Sequence, residues 1–153
     1  MRRPQPALRS RILLVESNAI IGLDLAEELE ACGYQVFGPL ADATALERLT
    51  GTTPDIAVLD ADLRTGASVD LARELRARGV PMLIVSCHDQ KHALPEFRDL
   101  PWILLPAPFA ALHAALEHLM LRRGKVVVPG NGPVNRSPAT GAPPTRVRSS
   151  KAA

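Results

Sequence analysis

Short apolar runs alternate along this chain with stretches in which apolar residues recur every three or four positions. Continuous apolar runs of four to six residues are typical of strands that are covered on both faces. They predict five strands, at residues 12–15, 34–38, 56–59, 82–85 and 102–105. The third of these strands leads directly into Asp60.

Helices are predicted between these strands. Asn18 and Gly33 bracket the first helix as N-cap and C-terminal stop. Further helices are predicted at residues 42–50, 68–78 and 109–123. Residues 87–101 have only a weak pattern that Pro95 interrupts, so we expect at most a short or irregular helix there.

Alternation of strand and helix predicts a doubly wound α/β fold, because parallel strands need a crossover element between them. Sites in such folds form at the carboxyl ends of the strands, beside the point where the strand order reverses. Functional residues are therefore expected just after the strands.

Composition and charge refine this picture. The chain has 153 residues, about one domain, and a net charge of +2. Residues 11–123 carry a net charge of −6, whereas residues 1–10 carry +3 and residues 124–153 carry +5. We expect a basic N-terminal extension (1–10), a folded domain (11–123) and a Pro/Gly-rich basic disordered tail (124–153).

Several classes of protein are disfavoured by composition. No apolar run approaches the roughly 18 residues of a membrane span, and no signal peptide is evident, so we expect a cytoplasmic protein without membrane contact. The basic tails hold no aromatic residue, which disfavours nucleic-acid binding. Cys32 and Cys87 form no metal or disulfide motif and are expected to be buried.

The residues after the first and third strands carry the candidate chemistry. If the strand order is 2-1-3-4-5, Glu16 and Asp60 approach each other at the top of the sheet. Their repulsion is relieved if Mg²⁺ lies between them or if one carboxyl is protonated. A carboxylate beside Mg²⁺ is also a competent nucleophile toward phosphorus. In the alternative interpretation, Asp60 caps the following loop and Glu16 is solvated.

Four motifs in order carry a resemblance to a known family: Ile12-Leu-Leu-Val-Glu16, Pro54-Asp-Ile-Ala-Val-Leu-Asp60, Val80-Pro-Met-Leu-Ile-Val-Ser86 and Pro106-Ala-Pro-Phe109. Over about residues 11–121 the chain resembles the receiver domain of bacterial response regulators in two-component systems. The resemblance implies a flavodoxin-like (βα)5 fold with strand order 2-1-3-4-5. It also implies a signalling module, not an enzyme, that accepts a phosphoryl group on one aspartate.

The functional positions of the family are only partly retained. Asp60 matches the phosphoacceptor and Ser86 matches the switch hydroxyl that bonds the new phosphoryl group. Glu16, Asp60 and the backbone carbonyl of Asp62 match the Mg²⁺ ligands. Three positions depart from the pattern, in that an acid is replaced by Ser17, the aromatic switch residue by Leu104 and the conserved lysine by Ala107.

These departures predict a weakened Mg²⁺ site and a damaged relay. Ser17 removes one charge near the cation, and Ala107 removes a charge-assisted hydrogen bond to the phosphoryl group. The implied partners are a histidine kinase or phosphotransfer protein, an output protein of unknown identity, and a second copy of the chain in a homodimer. The resemblance also implies that such partners bind to the exposed surface between residue 88 and the last helix.

Two main hypotheses follow. In the first, the protein is a single-domain response regulator in a phosphorelay, phosphorylated on Asp60. In the second, it is a pseudo-receiver that docks partners without phosphorylation. A nucleotide- or flavin-binding function is disfavoured, because the loop after the first strand lacks glycines and presents Glu16 to an anionic ligand.

Overall fold

The computed structural model of the protein describes residues 10–41, 47, 51, 53–62 and 67–122. Its elements in chain order are β1 (Arg11–Val15), α1 (Ala19–Ala31), β2 (Gln35–Leu40), β3 (Ile56–Asp60), α2 (Ala67–Ala77), β4 (Met82–Ser86), two 3₁₀ turns (Gln90–His92 and Pro95–Phe97), β5 (Trp102–Leu104) and α3 (Phe109–Arg122). The helix predicted at residues 42–50, apart from residue 47, lies outside the described residues, and so do residues 1–9 and 123–153.

The strands form one parallel sheet with the order β2-β1-β3-β4-β5. This confirms the predicted fold class and strand order, and all five predicted strands are present within one or two residues of their expected bounds. The weak segment at residues 87–101 holds only the two short 3₁₀ turns, as expected.

Two apolar layers enclose the sheet because successive residues of a strand point to opposite faces. On one face, Leu13 and Leu59 pack with Leu75 of α2 and with Phe97. The opposite face packs against α1 and α3; its buried members include Ile12, Leu14, Val58, Leu29, Leu116 and Met120. Strands β3 and β4 are buried along their whole length. The central strands are thereby fixed, and their carboxyl ends have defined positions.

Helix α1 begins at Ala19, three residues after the candidate acidic residue Glu16 that follows β1. The side chain of Asn18 accepts hydrogen bonds from the backbone N–H groups of Ile20 and Ile21 at 3.0 and 3.2 Å, as expected of an N-cap. The helix ends before Gly33, whose φ of 91° is a conformation that glycine adopts without steric cost.

The two cysteines differ from the expectation. Cys87 is exposed and Cys32 is only partly buried, so the prediction that both are buried was wrong. Cys87 lies one residue beyond the buried end of β4, where the chain leaves the sheet. Among the described residues, no helix combines the length and the apolar character that a membrane span requires.

A close approach of α1 to β2 holds the start of this helix against the sheet edge. A Cβ atom added at Gly22 would lie 2.7 Å from Cβ of Pro39 and 3.5 Å from Cβ of Glu16. The proline ring cannot swing aside as a flexible side chain would. Gly22 is therefore required by packing, and it fixes the distance between α1 and the strand ends.

We expect Gly22→Ala to lower the free energy of unfolding by about 1 kcal/mol, because overpacking costs about 1–3 kcal/mol, about 2 in the middle of that range, while alanine returns about 1 kcal/mol of helix propensity. Urea unfolding followed by circular dichroism measures the change. Glu27→Ala, on the exposed face of the same helix, is the control and should stay within about 0.5 kcal/mol of the wild type. A Gly22→Ala protein as stable as the wild type would contradict the close approach.

Candidate functional site

Parallel register brings the two candidate carboxylates together. Val15 of β1 pairs with Leu59 of β3, so the next residues, Glu16 and Asp60, stand side by side where the two strands end. Both side chains are buried, with 5% and 4% of their surface exposed. The alternative in which Glu16 is solvated is therefore not what the fold produces.

Asp60 is held by hydrogen bonds to both of its carboxylate oxygens. Its Oδ2 accepts from the hydroxyl of Ser17 at 2.8 Å and from the backbone N–H of Ser17 at 3.4 Å. Its Oδ1 accepts from the backbone N–H of Asp62 at 2.8 Å. Asp60 thus also caps the loop after β3, as the alternative interpretation expects, and this contact orients its carboxylate.

Ser17 has a role that the sequence analysis missed. It stands where the family has a second acid, and its hydroxyl hydrogen bonds with Asp60. The substitution therefore exchanges a repelling carboxylate for a donor. A hydroxyl at this position could have been read from the sequence as a donor to a neighbouring carboxylate, once the strand order was known.

Glu16 carries the perturbed ionisation of the site. Its pKa is raised to about 7, chiefly because burial disfavours the charged form. A hydrogen bond with Asp60 and repulsion from the charges of Asp60 and Asp62 raise this pKa further, whereas the N–H of Asn18, which donates to Oε1 at 3.0 Å, lowers it. A proton on Glu16 thus relieves the repulsion that the sequence predicts for the pair.

The oxygens at this point of the sheet suit a hard cation. Two buried carboxylates are of the ligand type that Mg²⁺ prefers, and such an ion completes its six-coordinate shell with carbonyls and waters. Within the described residues, no group of three or more His, Cys, Asp or Glu side chains could hold a metal ion. By their chemistry, the two carboxylates of Glu16 and Asp60 fit a Mg²⁺ site.

Ser86, at the end of β4, bonds to the side chain of Asp62. The serine is 2% exposed, and its hydroxyl donates to Oδ2 of Asp62 at 3.0 Å. The same hydroxyl oxygen accepts the backbone N–H of His88 at 3.0 Å. The sequence analysis assigned Asp62 only a backbone role, and thus missed its side chain.

His88 closes a small network around the side chain of Asp62. Its Nδ1 lies 3.0 Å from Oδ1 of Asp62, and its carbonyl accepts the indole N–H of Trp102 at 3.1 Å. The sequence offered no spacing signal for this contact, because the partners are 26 residues apart. The tertiary structure alone pairs them.

The two altered positions near β5 differ in their relation to this network, because Leu104 pairs in register with Ser86 whereas Ala107 lies beyond the end of β5. Leu104 is half-exposed, and Ala107 lines an apolar groove of about 560 Å³ between α1 and the start of α3. The charged residues that line the groove are the acidic Asp24 and Glu28. Among the described residues, only Lys91 is a lysine, and it lies on the first 3₁₀ turn. Of the part of the chain that the structure describes, no basic side chain lines this groove.

The segment between β4 and β5 is anchored despite its lack of a regular helix. Phe97 is 1% exposed, and the side-chain amide of Gln90 donates to the carbonyls of Arg98 and Leu100 at 3.0 and 2.9 Å. Exposed ion pairs, such as that of Arg73 with Glu96 at 3.4 Å, contribute little to stability. The segment is therefore held mainly by its buried aromatic ring and its own hydrogen bonds.

Comparison with known proteins identifies relatives of this arrangement. The chain is 32% identical over 117 residues to the response regulator receiver protein Anae109_2439 of Anaeromyxobacter, a match that covers 75% of this chain and 48% of the relative. It is 27% identical over 116 residues to the transcriptional regulatory protein PdtaR of Mycobacterium tuberculosis, covering 72% of this chain and 57% of that protein. The chain thus spans about half the length of the curated relatives it matches. No family model matches it.

Solved structures agree with these relatives. The BeF₃-activated form of SdrG from Pseudomonas melonis matches with a TM-score of 0.63 and 29% identity, covering 72% of this chain and 95% of that one. The receiver domain of the sensor histidine kinase PA1611 from Pseudomonas aeruginosa, solved with a magnesium ion in its active-site cleft, matches with a TM-score of 0.64 and 24% identity. That match covers 73% of this chain and 98% of the other.

The sheet order, the buried acidic pair and these relatives agree with the resemblance drawn from the sequence. This protein is a homologue of the response regulator receiver proteins of two-component signalling.

Proposed function

We propose that this protein accepts a phosphoryl group on Asp60 and signals through protein–protein contact. The observation that carries the proposal is the buried carboxylate of Asp60, held at the end of β3 beside Glu16 with donors on both oxygens. Hydrogen bonds from Ser17 and Asp62 restrict its rotation, so an incoming phosphorus atom meets a fixed oxygen. The proposed donor is a histidine kinase or phosphotransfer protein.

The transfer step follows from this geometry. An oxygen of the Asp60 carboxylate attacks phosphorus, the Oδ–P bond forms, and the bond between phosphorus and the donor's imidazole nitrogen breaks with its electron pair kept by that nitrogen. Glu16, Asp60 and the carbonyl of Asp62 would hold Mg²⁺. When bound, the ion would neutralise charge on the transferring oxygens.

After transfer, Ser86 is the proposed donor to a phosphoryl oxygen, and this requires it to leave Asp62. Ala107 provides no charge-assisted hydrogen bond to the phosphoryl group. The signal would then pass through the segment that follows Ser86, toward an output protein or a second copy of the chain.

A pseudo-receiver that docks partners without phosphorylation is the second candidate. The observations that favour it are the replacement of the lysine by Ala107 and the commitment of the Ser86 hydroxyl to Asp62. Both reduce the response of the fold to a phosphoryl group. Phosphorylation competence distinguishes the two candidates.

Incubation with Mg²⁺ and acetyl phosphate is expected to add one phosphoryl group to the wild type and none to Asp60→Asn, because the amide cannot act as the nucleophile. Intact mass spectrometry measures the product, and a chelator should abolish it. Asp70→Asn, which changes an exposed acid at the start of α2, is the matched control and should be modified like the wild type. Absence of any phosphoryl adduct with acetyl phosphate and with kinase donors would favour the pseudo-receiver.

Restoring the lysine is expected to strengthen the site. Ala107→Lys should increase the amount of phosphorylated protein at steady state roughly tenfold, since a hydrogen bond to a charged group contributes about 1.5–3 kcal/mol. Ala110→Lys adds the same charge at an exposed position nearby and should leave phosphorylation unchanged. An equal increase in phosphorylation from the two lysines would show that only the overall charge of the protein affects phosphorylation.

A further inference from the structure

We propose that the carboxylate of Asp62 acts in the unmodified protein as a resident substitute for a phosphoryl group, by taking the hydroxyl of Ser86 and positioning His88. This inference rests on the proposed function, in which Ser86 would otherwise donate to a phosphoryl group on Asp60. Asp62 is in these terms a positioning residue, since it acts through Ser86 and His88.

A serine hydroxyl carries one hydrogen, and that of Ser86 is directed at Oδ2 of Asp62 at 3.0 Å. With 2% of the serine exposed, solvent does not supply a competing acceptor. Ser86 therefore cannot donate to a second anion at the same time, so Asp62 and a phosphoryl group would compete for it.

The negative charge of Asp62 and its position next to Asp60 also favour this competition. The backbone N–H of Asp62 already donates to Oδ1 of Asp60 at 2.8 Å, so the two residues share one tight turn. A phosphoryl group on Asp60 carries about −1.5 to −2 charges, which repel the carboxylate of Asp62. Phosphorylation would thus displace Asp62 and release the hydroxyl of Ser86 to the new group in the same step.

Asp62 is also connected to the segment that follows β4. His88 bonds with Oδ1 of Asp62 through its ring and with Ser86 through its backbone N–H, each at 3.0 Å. Its carbonyl accepts the indole N–H of Trp102 at 3.1 Å. Asp62 thereby fixes the start of the first 3₁₀ turn. Under the proposed function, a phosphoryl group on Asp60 moves this region by drawing Ser86 toward itself.

The experiment compares Asp62→Ala and Asp62→Asn with the wild type in the full 153-residue chain, by ¹H–¹⁵N NMR. Without added ligand, Asp62→Ala should shift the amides of Ser86 and His88 and the indole N–H of Trp102, and should speed hydrogen exchange at His88. Asp62→Asn keeps the shape and one acceptor and should cause smaller shifts. Asp70→Asn, an exposed acid on α2, should cause none at these positions.

Titration with beryllofluoride and Mg²⁺ then tests the competition. Asp62→Ala should bind beryllofluoride roughly tenfold more tightly than the wild type, because a charged competitor for Ser86 has been removed. The pair Asp62→Ala and Ser86→Ala should be non-additive, so that Asp62→Ala tightens binding less in the Ser86→Ala background, where only the removal of charge repulsion remains.

The outcomes separate the inference from the proposed function. Equal binding of beryllofluoride by the wild type and Asp62→Ala would overturn the inference and leave the phosphoacceptor role of Asp60 intact. Absence of binding in every variant would instead refute that role. In that case, shifts at His88 and Trp102 in Asp62→Ala would still support Asp62 as the group that positions the segment, and unchanged spectra would overturn it.

Discussion

Two carboxylates buried side by side at the ends of β1 and β3 constrain the rest of this site. Burial disfavours both charges, and their proximity adds repulsion, so the surrounding chain must supply donors, a proton or a cation. The fold supplies two kinds of relief. Ser17 and the backbone of Asp62 donate to Asp60, while the pKa of Glu16 rises to about 7. The acidic pair is thus stabilised by its neighbours and also open to a hard cation.

The hydroxyl of Ser86 links the acidic pair to the segment that follows β4. Ser86 has one hydrogen to donate, and in the unmodified protein Asp62 receives it. Asp62 thereby connects Asp60, through its backbone N–H, with Ser86 and His88 at the start of the segment after β4. Under the inference drawn for Asp62, the state of the site depends on which anion accepts the hydrogen of this buried hydroxyl.

Hydrophobic pattern predicted the fold well because the central strands β1, β3 and β4 are covered on both faces and each helix buries one face. Continuous apolar runs became β3 and β4, which are buried throughout, and the capping residue Asn18 and the terminator Gly33 bound α1 as expected. The exposure of Cys87 was not foreseen, since residue type alone does not reveal that the chain leaves the sheet one position earlier. The side chains of Asp62 and His88 were missed because a contact over 26 residues leaves no periodic signal.

By itself, the sequence determined the parallel α/β architecture and the order in which Glu16, Asp60 and Ser86 arrive at the strand ends, because apolar periodicity and strand-end position are local properties. Its resemblance to receiver domains also implies which chemical groups are missing, the lysine at residue 107 above all. The tertiary structure decided which donor meets which acceptor. Register between β1 and β3 buried Glu16 against Asp60, and the turn after β3 directed Asp62 to Ser86, since hydrogen bonds over a few ångströms depend on side-chain geometry that no spacing encodes.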